Sequence, residues 1–278
     1  MRSTAERCAR VLARESLGVL LALKPRRSGT ARVIYYHRIS DDDHRSCVQP
    51  AAFAEQMRYL RSEGYRPLPF GEMRNYLDEG RPFPEGAVAV TFDDGFADNY
   101  SGAFPVLARE SIPATIFLAA AYIGGRDLPV LRDRSGVPPL GWDQVTEMAR
   151  GGVEFGAHTL THPSLPALSD EDLEREVRGS RNLIEERLGR AIDTFCYPRG
   201  EFDSRVKAAV RDAGYRLACT TLPGCVTPAT HPFSLRRTFI ARDDTLRDFA
   251  HKLAGTFDLL HSARQALAAR GRGAPLET

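Results

Sequence analysis

The chain has 278 residues, 42% of them hydrophobic and 27% charged, proportions that exclude disordered, collagen-like and polytopic membrane classes and leave material for one sizeable core. Its 38 basic and 36 acidic residues nearly cancel to a net charge of +2, which gives no ground for a nucleic-acid partner. Cys8, Cys47, Cys196, Cys219 and Cys225 form no C-x-x-C pair and read as packing residues, not as a disulfide framework or a cysteine zinc site, a Cys219–Cys225 bridge being the alternative.

Residues 1–30 come first as a basic segment with Arg7, Arg10 and Arg14 ahead of the apolar run LGVLLAL. That run is too short to span a bilayer, and Lys24-Pro25-Arg26-Arg27 stand where a signal-peptide cleavage site would carry small residues. The segment is expected either to lie on an anionic membrane surface as an amphipathic helix or to pack on the domain. Without a convincing export signal, the expectation is a cytoplasmic protein or one peripheral to the membrane, with an extracytoplasmic location as the alternative.

Across residues 31–255, short runs rich in β-branched and aromatic residues alternate with helical patterns. The strands expected are RVIYYH, AVAVTFD, ATIFLAA, VEFGAH, TFCYP, RLACT and LRRTFI. Phe53, Met57 and Leu60 recur at helical spacing after Pro50 and stop at Gly64. Leu173, Val177, Ile184 and Leu188 follow a capping box from Ser169 to Asp172 and stop at Gly189. Val206, Ala209 and Val210 give a helix closed by Gly214, and a further amphipathic helix follows Arg242. Residues 124–142 read as a long Gly- and Pro-rich loop, and residues 256–278 as a tail. Strands separated by crossover helices favour a parallel sheet in an α/β fold, either a distorted (β/α)7-type barrel or an open doubly wound sheet; in both, sites are built where the strands end.

Two strand ends carry chemistry. TFDDG puts Asp93 and Asp94 side by side, an arrangement of like charges that costs free energy unless a cation or shared proton relieves it. Neighbouring side chains on a strand point to opposite faces, so both can address one pocket only if the strand breaks, and Gly95 permits a break. HTLTH offers His158 and His162 with a spacing that lets a tight loop bring both imidazoles onto one ion. Two histidines and a carboxylate leave a coordination position open for water, the pattern of a catalytic metal site.

TFDDG, HTLTH and YPRGEFD, in that order, resemble the successive motifs of the polysaccharide deacetylases, carbohydrate esterase family four, with the NodB homology domain. The resemblance runs from about Val33 to Leu253 and includes LGWDQVTEMARGGVEFGAHTLTHPSL, which resembles members acting on bacterial exopolysaccharides. It implies a distorted barrel and metal-dependent hydrolysis of N-acetyl groups on N-acetylglucosamine-type sugars of a polysaccharide. Asp93 would be the general base, and Asp94, His158 and His162 would ligate a divalent metal, zinc first, with cobalt, nickel or manganese as alternatives. It also nominates His37, after VIYY, as general acid, Arg237 as the residue that orients the base, and the backbone N–H of Arg199 as an oxyanion donor. The motif departs from many relatives in having Cys196 where they have an arginine, a loss that Arg237 would make good. Tyr197 and Trp142 are candidates for stacking on sugar rings, with core packing as the alternative. An O-acetyl glycan esterase or an inactive glycan-binding module are the competing readings of the same motifs.

Overall fold

The computed structural model describes residues 29–125, 137–256 and 258. Nearly all of the basic N-terminal segment, the middle of the 124–142 loop and most of the expected tail therefore lie outside the described residues.

The apolar runs form the expected strands: β1 (Ala31–Tyr36), β5 (Ala87–Phe92), β6 (Ala114–Leu118), β7 (Glu154–Ala157), β8 (Thr194–Cys196), β9 (Leu217–Cys219) and β11 (Thr238–Phe239). Two-residue strands that no periodicity reveals join them: β2 (Arg38–Ile39), β3 (Cys47–Val48), β4 (Arg66–Pro67) and β10 (Cys225–Val226). The main sheet runs β10-β1-β5-β6-β7-β8-β9, parallel throughout except at β10, with β11 parallel to β1 and β4 parallel to β5. The sheet curls until its ends meet on one segment. Ala218 N donates to Pro232 O (2.8 Å) and Leu235 N to Ala218 O (3.0 Å), while Thr238 and Phe239 of the same segment pair with Ile34 and Tyr35 of β1. This is the distorted (β/α) barrel, and the open-sheet alternative is set aside.

Helices α1 (Pro50–Ser62), α2 (Met73–Asp78), α3 (Phe104–Glu110), α4 (Trp142–Arg150), α5 (Asp170–Leu188), α6 (Ser204–Asp212) and α7 (Leu246–Ala254) accompany the sheet. The α5 start is only half of a capping box: Ser169 Oγ accepts from Asp172 N at 3.2 Å. None among the described residues is long and apolar enough to cross a membrane.

Strand parity divides the core in two. Ile34, Tyr36, Val88, Val90, Phe92, Ile116, Leu118, Phe155 and Phe195 pack outward against the helices. Val33, Ala89, Phe117, Cys196, Cys219 and Leu235 pack on the inner face. That interior is narrow: a Cβ on Gly156 would sit 2.4 Å from Thr194 Oγ1. Cys47, Cys196, Cys219 and Cys225 are all free thiols, so the alternative Cys219–Cys225 bridge is not formed.

Candidate metal centre

Continuing the parity of β5 sends Asp93 inward with Ala89 and would send Asp94 outward with Phe92. The break occurs at Asp94 itself, with φ +75°, and continues through Gly95 at +87°. Both residues turn, so the second carboxylate swings back to the pocket. Gly95 is needed twice over, because a Cβ there would also come within 2.8 Å of Leu118 and Ile123. After β7, Thr159 (φ +66°) and His162 (φ +59°) turn the HTLTH segment in the same manner.

These turns bring Asp94, His158 and His162 together, all three buried. Asp94 Oδ1 lies 3.5 Å from His158 Nε2 and 3.6 Å from His162 Nε2, and the two imidazoles meet edge to face with centroids 4.8 Å apart. Donors about 2.1 Å from a tetrahedral ion are spaced about 3.4 Å apart, so the cluster has the dimensions of a three-ligand cation site. Its protonation agrees. His158 Nδ1 donates to Cys196 O (2.7 Å), leaving the Nε2 lone pair turned to the cluster. Burial lowers the His158 pKa to about 4, overcoming the opposing influence of Asp93. Burial, reinforced by His158 and Arg199, lowers that of His162 to about 3. Both rings are therefore in the neutral, ligating form at any ordinary pH.

Asp93 is 2% exposed and is gripped by Arg237, Nη1 to Oδ1 and Nη2 to Oδ2, both 2.7 Å. Burial pushes its pKa up, but the guanidinium, aided by His158 and His37, more than offsets this and holds the carboxyl well below the usual range. The Arg237 fork is itself over-determined: Nε donates to Thr220 O (2.9 Å), Nη2 to Cys196 Sγ (3.0 Å), and the group lies 4.3 Å from the Tyr35 ring centroid. Cys196 Sγ thus occupies the space beside Asp93, and the guanidinium arrives from the segment just before β11. Arg236 points the other way, to Pro223 O.

His37 extends β1 on the same inner parity as Tyr35, with its ring between Tyr35 and Phe239, each centroid 5.8 Å away. Its Nδ1 is buried without a hydrogen-bond partner. Burial lowers its pKa, Asp93 opposing and Arg237 adding. Sequence reasoning missed what holds His37 in place. The buried Asn99 Nδ2 donates to His37 O (2.8 Å), and the next residue, Arg38, pairs through Nε with Asp98 at 2.8 Å. Asn99 opens a π-helical turn, Asn99–Ala103, a distortion that no sequence pattern signals.

Arg199 sits at φ +57° in the turn after β8, its side chain exposed. The next two amides are committed, Gly200 N to Tyr197 O and Glu201 N to Pro198 O, which leaves the Arg199 N–H as the turn's open donor. Tyr197 belongs to the packing alternative: it is fully buried by outward parity, stacked on Phe202 at 4.8 Å, and its hydroxyl donates to Phe233 O at 3.1 Å, so it offers no ring face to a sugar. Trp142 is not brought to the cluster. It lines a separate cavity of about 530 Å³ with Leu160, Arg175 and Arg187, and the Arg187 guanidinium lies 5.6 Å from the indole ring.

A family model described as polysaccharide deacetylase matches residues 80–218. YxkH of Bacillus subtilis (strain 168) is 27% identical over 219 residues, covering 79% of this chain and 74% of that protein. The poly-beta-1,6-N-acetyl-D-glucosamine N-deacetylase of Escherichia coli (strain K12) is 27% identical over 84% of this chain, which spans only 40% of the Escherichia coli protein. Among solved structures, IcaB from Ammonifex degensii superposes with a TM-score of 0.71 at 26% identity, covering 81% of this chain and 97% of that one.

Proposed function

The chain belongs to the polysaccharide deacetylase family, and from that premise we propose that it hydrolyses N-acetyl groups on N-acetylglucosamine-type residues of a polysaccharide, releasing acetate and leaving a free amine. The observation that carries this reading is the junction of two devices at one barrel rim: a buried carboxylate with two neutral imidazoles, and beside it a carboxylate clamped by arginine. The first supports a divalent cation, and the borderline donor set of two imidazoles and one carboxylate favours zinc.

A cation held by Asp94, His158 and His162 would polarise the acetyl carbonyl and acidify the attacking water, which suits a base as weak as Asp93. Asp93 stays ionised throughout the working pH range because of Arg237, and the bidentate grip fixes the direction in which its oxygens accept the proton. The Arg199 N–H donates to the oxygen that gains charge as the carbonyl becomes tetrahedral. His37, neutral at rest, has no proton of its own to spare. The proton it delivers to the departing nitrogen is therefore the one Asp93 takes from the water and then gives up, and the Asp93 anion restored by that release favours the transient imidazolium. The polymer would be a glycan of the kind named for the Escherichia coli relative.

The test is acetate release by the zinc-loaded protein from N-acetylated and from O-acetylated glycan oligomers, with Asp93→Asn in parallel. Release from the N-acetylated oligomers, lost in the variant, is expected. Release confined to O-acetyl substrates would make the protein an esterase, and full turnover by Asp93→Asn would end the assigned role of Asp93.

A further inference from the structure

Glu176 is a carboxylate on the core-facing side of α5, one turn from Leu173 and beside Val177, yet it is only 5% exposed. A buried carboxylate is costly unless its acceptors are filled. Among the described residues no cation pairs with it, and every donor it receives comes from the loop between the two histidines. Oε2 accepts from Leu160 N and Thr161 N, both 2.9 Å, and Oε1 accepts from the Thr161 hydroxyl at 2.6 Å.

Thr159 and His162 both hold positive φ, a conformation that costs free energy in residues with a Cβ and persists only where surroundings over-determine it. Thr159 supplies one internal brace, accepting from His162 N at 3.0 Å. From outside, the Ala120 and Ala121 amides hold the inner edge of the loop by donating to Thr159 O (2.9 Å) and Leu160 O (3.0 Å), Glu176 takes its two outward amides, and Leu160 packs against Gly179 one turn further along α5. The amides of Leu160 and Thr161 both find their acceptor on α5, in the Glu176 carboxylate.

We propose that Glu176 is a positioning residue for the metal site: its carboxylate binds the outer side of the Leu160–Thr161 turn and thereby fixes the separation and aim of His158 and His162. A carboxylate is required because three donors converge and none of the positions asks for a donor in return. This rests on the ligand set proposed above.

The experiment is competitive titration of zinc against a chromophoric chelator, with the cobalt(II) absorption spectrum as a report of ligand geometry, in the wild-type protein, Glu176→Ala, Glu176→Gln and Glu185→Ala. Glu185 lies on the same helix and accepts from Ile192 N (2.9 Å), away from the loop. Removing a residue that orients metal ligands weakens metal binding about 10–100-fold, and that loss is expected for Glu176→Ala, with an altered cobalt spectrum. Glu176→Gln, retaining one oxygen acceptor and losing the charge, should fall between it and wild type, and it carries the test if the alanine variant does not fold. Glu185→Ala should lower the melting temperature without changing zinc affinity. Wild-type zinc affinity in the Glu176 variants, or an equal loss in Glu185→Ala, overturns the proposal. Failure of wild type itself to bind zinc, or undiminished binding by Asp94→Ala, would instead overturn the ligand set.

Discussion

Replacing Arg237 with methionine isolates the most heavily bonded interaction in the site. Methionine keeps an unbranched apolar stem under Tyr35 but removes both bonds to Asp93, the bond to Thr220 O and the contact with Cys196 Sγ. Asp93 is then a buried carboxylate with no cation, a change that costs about 3–5 kcal/mol. For a domain of this size that is a melting temperature lower by about 6–20 °C. The loss also has a defined pH dependence. In wild type, Asp93 has a depressed pKa, so its contribution is present above the unfolded value of 3.8 and is lost only as pH falls through the much lower folded value. In the variant, burial acts unopposed by arginine and raises the pKa above the unfolded value, so the folded form takes up a proton as pH falls and recovers stability. The gap between the two proteins should be widest near pH 7 and narrow toward pH 4. Urea unfolding of both metal-free proteins at several pH values measures it, with an Asp93→Asn, Arg237→Met protein as the reference that removes the share of His37 and His158, whose pKa values Arg237 also lowers. A gap below about 1 kcal/mol, or one constant with pH, would refute the reasoning.

The metal-free wild-type protein should itself lose stability as pH drops below 6.5, because His158 and His162 have lowered folded pKa values of about 4 and about 3 and the unfolded chain binds the protons first. Each group contributes a slope of about 1.4 kcal/mol per pH unit within its window, and thermal unfolding in chelator at pH 7, 6 and 5 follows it; a flat profile would mean the imidazoles are solvated. Asp94→Ala should abolish measurable zinc binding by titration, whereas Asp93→Asn should keep zinc within about threefold of wild type and lose turnover by roughly 100-fold or more. Tyr197→Phe removes one buried hydrogen bond to Phe233 O and should cost about 1 kcal/mol in urea unfolding with no change in KM; a tenfold rise in KM would return the ring to the substrate.

Periodicity made the barrel legible because strands buried on both faces are continuous apolar runs, and all the long ones appear where RVIYYH, AVAVTFD and their successors predict. The two-residue strands β2, β3, β4 and β10 were invisible because pairs such as Arg66-Pro67 and Cys225-Val226 are recruited by neighbours and have no pattern of their own. The cluster of Asp94, His158 and His162 was legible from residue type and strand-end position. Its backbone was read less fully: Gly95 marked a break, but nothing local says that Asp94 and His162 also adopt positive φ. The supporting residues were the hardest to see. Asn99, Asp98 and Glu176 act through tertiary partners 15 to 62 positions away; only Glu176, a charge on the apolar stripe of α5, left a trace in the sequence. Tyr197 shows the converse, since alternation from the inward Cys196 already turns it toward the helices.

The placement of Arg237 ties the chemistry to the closure of the fold. Four of the five positive-φ residues other than glycine among the described residues, Asp94, Thr159, His162 and Arg199, surround the site, so local preference opposes its assembly at each strand end. What opposes that strain has to come from across the barrel. Arg237 stands on the segment whose flanking residues pair with β9 on one side and β1 on the other. Its guanidinium bonds at once to Thr220 after β9, to Asp93 after β5 and to Cys196 at the end of β8. An arginine entering from β8 would orient Asp93 equally well but would leave the closing segment without that three-way tie. With cysteine at 196 and arginine at 237, the bond that aims the base is also a bond that shuts the barrel. In this chain, the group that directs Asp93 therefore also ties together three strand ends on the segment where the sheet closes.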